Sequence, residues 1–258
     1  MLIDSHCHLD RLDLTPFDYS FKRFVEDTVR GGVDHMLCVS ITLERYVSMY
    51  DLVRPYPEIS VSVGVHPTES KCQEPSVDDL IRLGQDPRVV AIGETGLDYF
   101  HDDVPASDQL ERFRVHVEAA RTLKKPLIIH TRDAREDTLA LLSETQAFEV
   151  GGVFHCFTED WETAQRALDL NFYISLSGIV TFRNAAQIQE VARRVPLERL
   201  LIETDSPYLA PVPLRGKPNY PAYVRHVCDF VASLRGVSSD ELADQTAVNY
   251  QRLFGLTH

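Results

Sequence analysis

The chain begins with an apolar segment that ends in two histidines two residues apart, His6 and His8. Side chains of a β-strand alternate between its two faces, so both imidazoles are expected to point to the same side. Two neutral imidazoles at this spacing suit the binding of one metal ion. The His-x-His pattern is short and recurs by chance, so its weight depends on further ligands in the chain.

Four more residues with metal-binding side chains occur near the ends of other predicted strands: Glu94, His130, His155 and Asp205. A catalytic metal needs about three protein ligands and one open position, so six candidates exceed the needs of one ion. They fit two divalent ions about 3.5–4 Å apart that share a bridging carboxylate. We therefore expect two divalent ions, with Mg²⁺, Mn²⁺ and Zn²⁺ as the candidates.

Glu94 is the expected bridge, because it is central in strand order and is flanked by small residues. The other ligands divide into those near the two ends of the chain and those in its middle: His6, His8 and Asp205 for the first ion, and His130 and His155 for the second. Asp205 is also expected to accept a proton from the attacking water, whose pKa a metal ion lowers from 15.7 towards about 7. Asp205 and Glu94 are thus the candidate catalytic residues.

Eight short apolar segments rich in β-branched residues alternate with helical patterns. The predicted strands lie near residues 2–6, 34–40, 59–65, 89–93, 126–130, 150–155, 172–177 and 199–204. Strands separated by single helices form right-handed βαβ units with a parallel sheet. Eight such units without a Gly-rich nucleotide loop predict a (β/α)₈ TIM barrel, whose functional residues lie at the carboxyl ends of the strands.

The clearest helical pattern places Leu110, Phe113 and Val117 on one apolar face and assigns Arg112 to the polar remainder. Helix starts are expected at Ser76 and at Ser238 or the following serine. The last 35 or so residues contain no further strand and predict extra C-terminal helices. No linker divides the chain, so a single domain over residues 1–258 is expected.

The 258 residues include 44% hydrophobic side chains, enough for a substantial core, and the net charge is −13. A protein this acidic lacks the basic surface with which proteins usually bind long nucleic acids, so attraction to a polyanion must be local. No segment reaches the roughly 18 apolar residues of a membrane span. Five cysteines without C-x-x-C spacing favour reduced thiols and a cytoplasmic location.

The charge of the predicted site points to an anionic substrate. Two divalent cations outweigh two carboxylates and leave the site positive, which favours a phosphodiester whose oxygens bridge the metals. Arg215 and Lys217 follow the last predicted strand, where barrels often bind phosphate. Arg132 lies two residues after His130 and is expected to extend towards the same site.

Together these segments resemble the TatD family of metal-dependent hydrolases and deoxyribonucleases. The matching motifs run in order along the chain: Asp4-Ser5-His6-Cys7-His8-Leu9-Asp10, Gly64-Val65-His66-Pro67, Gly93-Glu94-Thr95-Gly96-Leu97-Asp98-Tyr99, His130-Thr131-Arg132, His155-Cys156-Phe157, Glu203-Thr204-Asp205-Ser206-Pro207-Tyr208-Leu209 and Arg215-Gly216-Lys217-Pro218-Asn219. The resemblance implies a barrel of the amidohydrolase type, a divalent-metal site and exonuclease-like action on DNA. It also implies that the six candidates are ligands, and none of their positions is substituted.

The resemblance further suggests that His66 contacts substrate, although a histidine before a proline also suits a simple turn hydrogen bond. Arg132 either binds phosphate or pairs with a neighbouring aspartate. Glu203 either orients a ligand histidine from behind or is a buried acid satisfied by the backbone. Asp98 either contacts substrate or water, or caps the following segment.

Several other side chains are expected to have structural roles. Four aromatic residues near strand ends are candidates for stacking on a base, although packing is the commoner role: Tyr99, Phe100, Phe157 and Tyr208. Five histidines have no motif around them: His35, His101, His116, His226 and His258. Cys7 should point away from the metal, because it lies between the two histidines of the first strand.

These observations predict a metal-dependent hydrolase, specifically a deoxyribonuclease that cleaves phosphodiester bonds from an end by means of a two-metal-activated water. DNA or another phosphodiester is the expected substrate, with no membrane and no obligate protein partner. The same metal site also suits an amide, ester or lactone of a small molecule, because an activated water attacks a carbonyl as well. A metal-stabilised, non-catalytic binding protein is the third hypothesis.

Overall fold

The computed structural model describes residues 1–255, in which eight parallel strands form one sheet in chain order. The strands are β1 (Ile3–Cys7), β2 (His35–Cys38), β3 (Ile59–Val63), β4 (Val89–Asp98), β5 (Leu127–Arg132), β6 (Gly152–Phe154), β7 (Phe172–Leu176) and β8 (Leu200–Ile202). Each predicted strand is present. The helices that alternate with them confirm the (β/α)₈ TIM barrel.

The sheet closes where β8 meets β1. Cys7 and Ser206 form a parallel bridge, the Asp205 N–H donates to the His6 carbonyl at 3.0 Å, and the His8 N–H donates to the Ser206 carbonyl at 2.8 Å. These bonds lie next to the first and last predicted metal ligands. Closure of the barrel therefore brings together residues that are about 200 positions apart in sequence.

The helices pack around the outside of the barrel and cover one end of it. They are α1 (Phe21–Arg30), α2 (Leu43–Val53), α3 (Val77–Gly84), α4 (Ala106–Leu123), α5 (Arg135–Glu144), α6 (Trp161–Asp169), α7 (Ala186–Arg194), α8 (Val224–Arg235) and α9 (Ser239–Phe254). Ser76 and Ser238 cap α3 and α9, each accepting a backbone N–H at 3.1 Å, as predicted. The two extra C-terminal helices are also confirmed.

Two apolar layers hold these elements in place. One lies between the strands and the surrounding helices. The other fills the barrel interior, where Ile3, Leu37 and Ile128 pack together, and α9 closes it with Tyr250 and Phe254. Because α9 closes the amino-terminal end of the barrel, the carboxyl ends of the strands remain free for a site.

The main difference from the predicted strands is the length of β4, which was expected to end near residue 93 and continues to Asp98. Its pairing with β5 resumes after a register shift and runs from Thr95 with Ile129 to Asp98 with Arg132. Gly93 has a φ of +146°, and a Cβ there would lie 2.7 Å from the Ile128 carbonyl oxygen. Glu94 therefore lies inside β4 rather than after it.

The assignment of Arg112 to a polar, outward face of α4 was wrong. Its side chain is buried, on the same side of the helix as Phe113 and His116. No helix within residues 1–255 is long and apolar enough to cross a membrane. The single domain over residues 1–258 stays a prediction, and His258 lies outside the described residues.

Candidate metal centre

The carboxyl ends of five strands bring the six predicted ligands to one place. β1 carries His6 and is followed directly by His8, and β4 carries Glu94. The remaining three belong to the ends of β5, β6 and β8: His130, His155 and Asp205. All except His130 are buried, and His130 is partly buried.

One carboxylate oxygen of Glu94 faces a first group of ligand atoms. The Nε2 atoms of His6 and His8 are 3.4 Å apart and lie 3.4 and 3.8 Å from Glu94 Oε2. Asp205 Oδ1 lies 3.4 Å from His8 Nε2 and 3.8 Å from His6 Nε2. A tetrahedral ion with bonds of about 2.0–2.2 Å keeps its ligand atoms about 3.3–3.6 Å apart. This first group therefore fits a metal ion.

The other carboxylate oxygen of Glu94 faces a second group. Oε1 lies 2.7 Å from His155 Nε2, 3.2 Å from His130 Nδ1 and 3.3 Å from His66 Nε2. The imidazole rings of His6 and His155 stack across the boundary between the groups, with centroids 3.8 Å apart. Glu94 thus has the geometry of a carboxylate that bridges two cation positions.

Hydrogen bonds on the far side of each ring decide which nitrogen is free to bind a metal. His8 donates its Nδ1–H to the Val39 carbonyl at 3.1 Å, so its Nε2 lone pair faces the site. His155 donates its Nδ1–H to Glu203 Oε1 at 3.3 Å, which leaves its buried Nε2 directed at Glu94 Oε1, 2.7 Å away. Both rings therefore offer the nitrogen that the first and second ligand groups require.

The His130 ring has the opposite orientation to those of His8 and His155. Its Nε2–H donates to Asp98 Oδ2 at 3.0 Å, which leaves Nδ1 directed at Glu94. Asp98 is itself held, because its Oδ1 accepts the backbone N–H groups of Phe100 and His101 at 3.0 Å. Asp98 therefore caps the turn after β4, which is one of its two predicted roles, and its contact with substrate or water stays a prediction. It also orients a candidate ligand, a role that the sequence did not indicate.

Glu203 combines both of its predicted roles. Its Oε1 accepts the Cys156 backbone N–H at 2.7 Å in addition to the His155 ring N–H. The side chain is fully buried. It is therefore a buried acid that the backbone satisfies in part, and it fixes the orientation of His155.

His66 is placed differently from the six predicted ligands, although its Nε2 also faces Glu94. The Thr68 N–H donates to His66 Nδ1 at 3.2 Å, so the neutral ring carries its proton on Nε2. Burial lowers the pKa of His66 to about 4. His66 therefore directs its Nε2 at Glu94, and together with Glu94 and His130 it forms a group that could hold a metal ion. Its contact with substrate stays a prediction.

Without metal, the site is held together by charge. Burial opposes the ionisation of Glu94, but the charge of His155 and the hydrogen bonds from His130 and His155 outweigh it and place the pKa of Glu94 well below its usual value. Burial likewise opposes protonation of His155, yet the carboxylates of Glu94 and Glu203 raise its pKa. Metal ions would replace these protons as the positive charge that the carboxylates need.

A cavity of about 960 Å³ opens above this centre. Five carboxylates line it: Glu69, Glu94, Asp133, Glu159 and Asp205. Two arginines also line it, Arg132 and Arg11. Arg132 was predicted, whereas the only sequence signal for Arg11 is its position three residues after His8. The cavity is therefore acidic unless cations occupy it.

Arg215 and Lys217 are not brought to this cavity. Both are exposed, neither belongs to the cavity lining, and the Arg215 guanidinium lies 4.3 Å from the centroid of the Phe182 ring. Their contact with substrate stays a prediction. Among the cations near the centre, Arg11 and Arg132 are better placed to reach a bound anion.

Three buried polar side chains of α4 support the site, and the sequence reasoning missed them. Gln109 accepts the Asp98 N–H at 2.8 Å, and His116 Nε2 accepts the Val65 N–H at 2.9 Å. Arg112 donates to the carbonyls of His66 and two nearby residues and pairs with Glu74. The 109–112–116 spacing matches the buried face of a helix, which is the signal that would have revealed them.

The structure also shows where Cys7 and the four aromatic residues near the strand ends lie. Cys7 points away from the ligands, with its Sγ 3.3 Å from the Leu37 carbonyl. Phe157 is buried in the core, and the Tyr99 hydroxyl donates to Asp137 at 2.7 Å. Tyr208 is exposed and lines the cavity, and the exposed Phe100 packs against Arg132, which also lines it.

A barrel whose strand ends bring four histidines and two carboxylates within metal-binding distance defines the class of the protein, a metal-dependent hydrolase of the TIM-barrel type. Comparison with known proteins agrees. The family model described as TatD related DNase matches residues 3–255. The chain belongs to the TatD family.

Individual relatives cover nearly the whole chain. The Escherichia coli (strain K12) protein named uncharacterized metal-dependent hydrolase YcfH is 52% identical over 254 residues, covering 98% of this chain and 95% of that protein. The Salmonella typhimurium (strain LT2) protein named 3'-5' ssDNA/RNA exonuclease TatD is 35% identical over 230 residues, covering 87% and 88%. The crystal structure of YjjV, a TatD homologue from Escherichia coli K12, superimposes with a TM-score of 0.91 at 26% identity, covering 99% and 98%.

Proposed function

We propose that the protein hydrolyses phosphodiester bonds of nucleic acid from an end, with two divalent metal ions. The observation that carries this proposal is the position of Glu94, whose two oxygens face separate ligand groups. A bridging carboxylate between two cation positions is typical of sites that clamp both the attacking and the leaving oxygen of a phosphoryl group. The likeness to a relative named 3'-5' ssDNA/RNA exonuclease supports the nucleic-acid substrate.

The metals would supply positive charge that binds the scissile phosphate and lowers the pKa of the attacking water. His6, His8 and Asp205 would hold one ion, His130 and His155 the other, and Glu94 both. The charge pattern of the cavity supports an anionic substrate only when metals are present, because its lining carboxylates outnumber its arginines. Binding of nucleic acid should therefore itself depend on metal.

The residues of the chain would divide the remaining steps among them. Asp205 would hold the attacking water in line and accept its proton, as a carboxylate whose Oδ1 already faces His6 and His8. His66 would donate its Nε2–H to a non-bridging phosphate oxygen, where negative charge increases in the transition state. Arg132 would bind a neighbouring phosphate, and Arg215 and Lys217 remain proposed contacts for a longer strand. A cytoplasmic location stays part of the proposal, and the five free thiols support it.

The test is an activity panel with the metal-stripped protein, reloaded separately with Mg²⁺, Mn²⁺ and Zn²⁺. The substrates are single-stranded DNA, double-stranded DNA, RNA, bis-p-nitrophenyl phosphate and a matched carboxylic ester. We expect metal-dependent release of mononucleotides from a single strand. Glu94→Ala should lower kcat by about a thousandfold or more, within the range expected for loss of a principal catalytic group.

The matched control is Glu118→Ala, which removes an exposed carboxylate on α4 outside the cavity and should leave kcat unchanged. Metal content measured by atomic emission should fall in Glu94→Ala only. Efficient hydrolysis of the carboxylic ester with no phosphodiester cleavage under any metal would overturn the proposal in favour of carbonyl chemistry at the same site.

A further inference from the structure

We propose that Arg11 and Tyr208 form a subsite for one nucleotide of an unpaired strand, on the opposite rim of the cavity from Arg132 and Phe100. The inference rests on the proposed phosphodiester hydrolysis and deepens it. It assigns the residues that bind the strand on either side of the reacting phosphate, and it explains why an acidic protein accepts a polyanion.

Arg11 is a cation at the cavity wall whose hydrogen-bonding capacity the described residues use only in part. It lies in the short turn Leu9–Arg11, directly after the ligand His8, and its side chain is 26% exposed at the cavity wall. One guanidinium N–H donates to the Tyr208 hydroxyl at 3.1 Å. Arg11 forms a long ion pair with Glu69, whose carboxylate oxygen is 3.9 Å away, beyond hydrogen-bond distance. Its buried Nε–H has no acceptor within residues 1–255.

Tyr208 supplies an aromatic surface beside this charge. The residue is 46% exposed, although large aromatic side chains usually bury most of their area. Its ring stands against the His8 ring with centroids 6.1 Å apart, and Arg11 holds its hydroxyl. An exposed ring next to an arginine matches the pattern of single-strand binding, in which the cation contacts a phosphate and the ring stacks on a base.

The same pair of residue types occurs on the other side of the mouth. The Arg132 guanidinium lies 3.7 Å from the centroid of the Phe100 ring, and Phe100 is 58% exposed. Arg132 ends β5, whereas Arg11 follows β1. In a closed sheet of eight strands in chain order, β1 and β5 lie on opposite sides of the barrel.

The metal ligands lie between the two pairs. His8 neighbours the Arg11 pair, and His130 lies two residues before Arg132. A nucleic-acid strand that crosses the mouth of the cavity would therefore pass one arginine and one ring, then the metal centre, then the second arginine and ring. Only unpaired bases expose both faces for such stacking, so the arrangement selects a single strand over a duplex. A small phosphodiester would reach one rim at most.

The test measures binding rather than turnover. A fluorescent eight-nucleotide single strand with phosphorothioate linkages, which resist cleavage, is titrated with the metal-loaded protein at several salt concentrations, and anisotropy gives Kd. Arg11→Gln should weaken binding and reduce the slope of log K against log salt by about 0.7, the contribution of one phosphate contact on a single strand. The control Arg30→Gln removes the same charge from an exposed position on α1, outside the cavity lining, and should leave Kd and the slope unchanged.

The ring is tested separately. Tyr208→Leu should weaken binding by at least about fivefold for every base sequence without changing the salt slope, because stacking tolerates all bases. Tyr208→Phe keeps the ring and should stay near the wild-type affinity.

The outcomes separate the subsite from the proposed function. Cleavage of single strands with an unchanged Kd and salt slope in Arg11→Gln overturns the subsite and leaves the function standing. Arg11-dependent binding without cleavage under any metal supports the subsite and overturns the function. Absence of binding by the wild-type protein, or an equal loss of affinity in the control Arg30→Gln, contradicts the subsite.

Discussion

The two sides of the metal centre hold their candidate ligands by different means. On the β1 and β8 side, His8 is oriented by a backbone carbonyl, and the buried His6 Nδ1 has no partner among the described residues. On the β5 and β6 side, carboxylates stand behind both histidines, Asp98 behind His130 and Glu203 behind His155. The buried polar side chains of α4 support the β5 and β6 side only.

This difference has a physical consequence for metal binding. A carboxylate behind a histidine fixes its tautomer and increases its basicity, whereas a carbonyl does so more weakly. The first side instead depends on barrel closure, because the backbone bonds between β1 and β8 position His6, His8 and Asp205. We therefore expect side-chain substitutions to weaken binding of the proposed second ion selectively, whereas binding of the proposed first ion should respond mainly to loss of a ligand itself.

The largest expected effect comes from removing a ligand on the first side. Asp205→Asn keeps the shape of the side chain but removes its charge and its capacity to accept a proton. We expect kcat to fall by about 10² to 10⁴-fold, with loss of one metal ion per protein. Steady-state kinetics and metal analysis check this, with the exposed Asp169→Asn as control. Full activity with both ions retained would contradict the assignment of Asp205.

The support that α4 provides to the second side predicts a specific acid sensitivity. Burial lowers the pKa of His116 to about 4 from an ordinary value of 6.5. Its neutral ring donates Nδ1–H to the Arg112 carbonyl at 2.7 Å and accepts the Val65 N–H. Because the unfolded chain binds the proton more readily, stability is lost as pH falls from about 6.5 to 4. This one residue should lower the free energy of unfolding by about 3 kcal/mol over that range.

His116→Gln isolates this effect. The metal ligands titrate in both proteins, so the difference between their urea-unfolding curves reports His116 alone. The variant should be the less stable protein at pH 8 and should recover most of the difference at pH 4. A difference that does not change with pH would show that His116 does not titrate on unfolding.

The smallest expected effect concerns the carboxylates behind the ligands. Asp98→Asn and Glu203→Gln keep hydrogen-bonding groups of the same shape and remove the charge. Each should lower the affinity for one of the two ions by about 10- to 100-fold, and excess metal should restore kcat. Chelator competition measures the two affinities separately. Equal weakening of both ions would remove the distinction between the two sides.

The candidate ligands could be named from the sequence because each is tied to a local pattern. His6 and His8 share a strand face, and the other candidates occur where a predicted strand ends. The structure brings Glu94 together with them, although β4 proved longer than its apolar run. The extension depends on pairing with β5 after a register shift, which a single sequence does not reveal.

The positions of the long, flexible arginine side chains were the hardest to predict. Arg112 was assigned to solvent because arginine is usually exposed, yet carbonyls of the loop that carries His66 and the carboxylate of Glu74 satisfy it in the interior. Arg215 lies on the Phe182 ring, outside the cavity lining, and its contact with substrate stays a prediction. Arg11 gave no signal, because its role depends on a tyrosine 197 positions away.

The sequence by itself determined the barrel, the metal-binding chemistry and the six candidate ligands, because strand periodicity and ligand type are local properties of the chain. Only the tertiary structure decided which nitrogen of each histidine faces the centre, how Glu94 divides its two oxygens, and which arginines border the cavity. Those features depend on contacts between side chains far apart in sequence. Barrel closure and the packing of α4 create these contacts, and no short segment contains them.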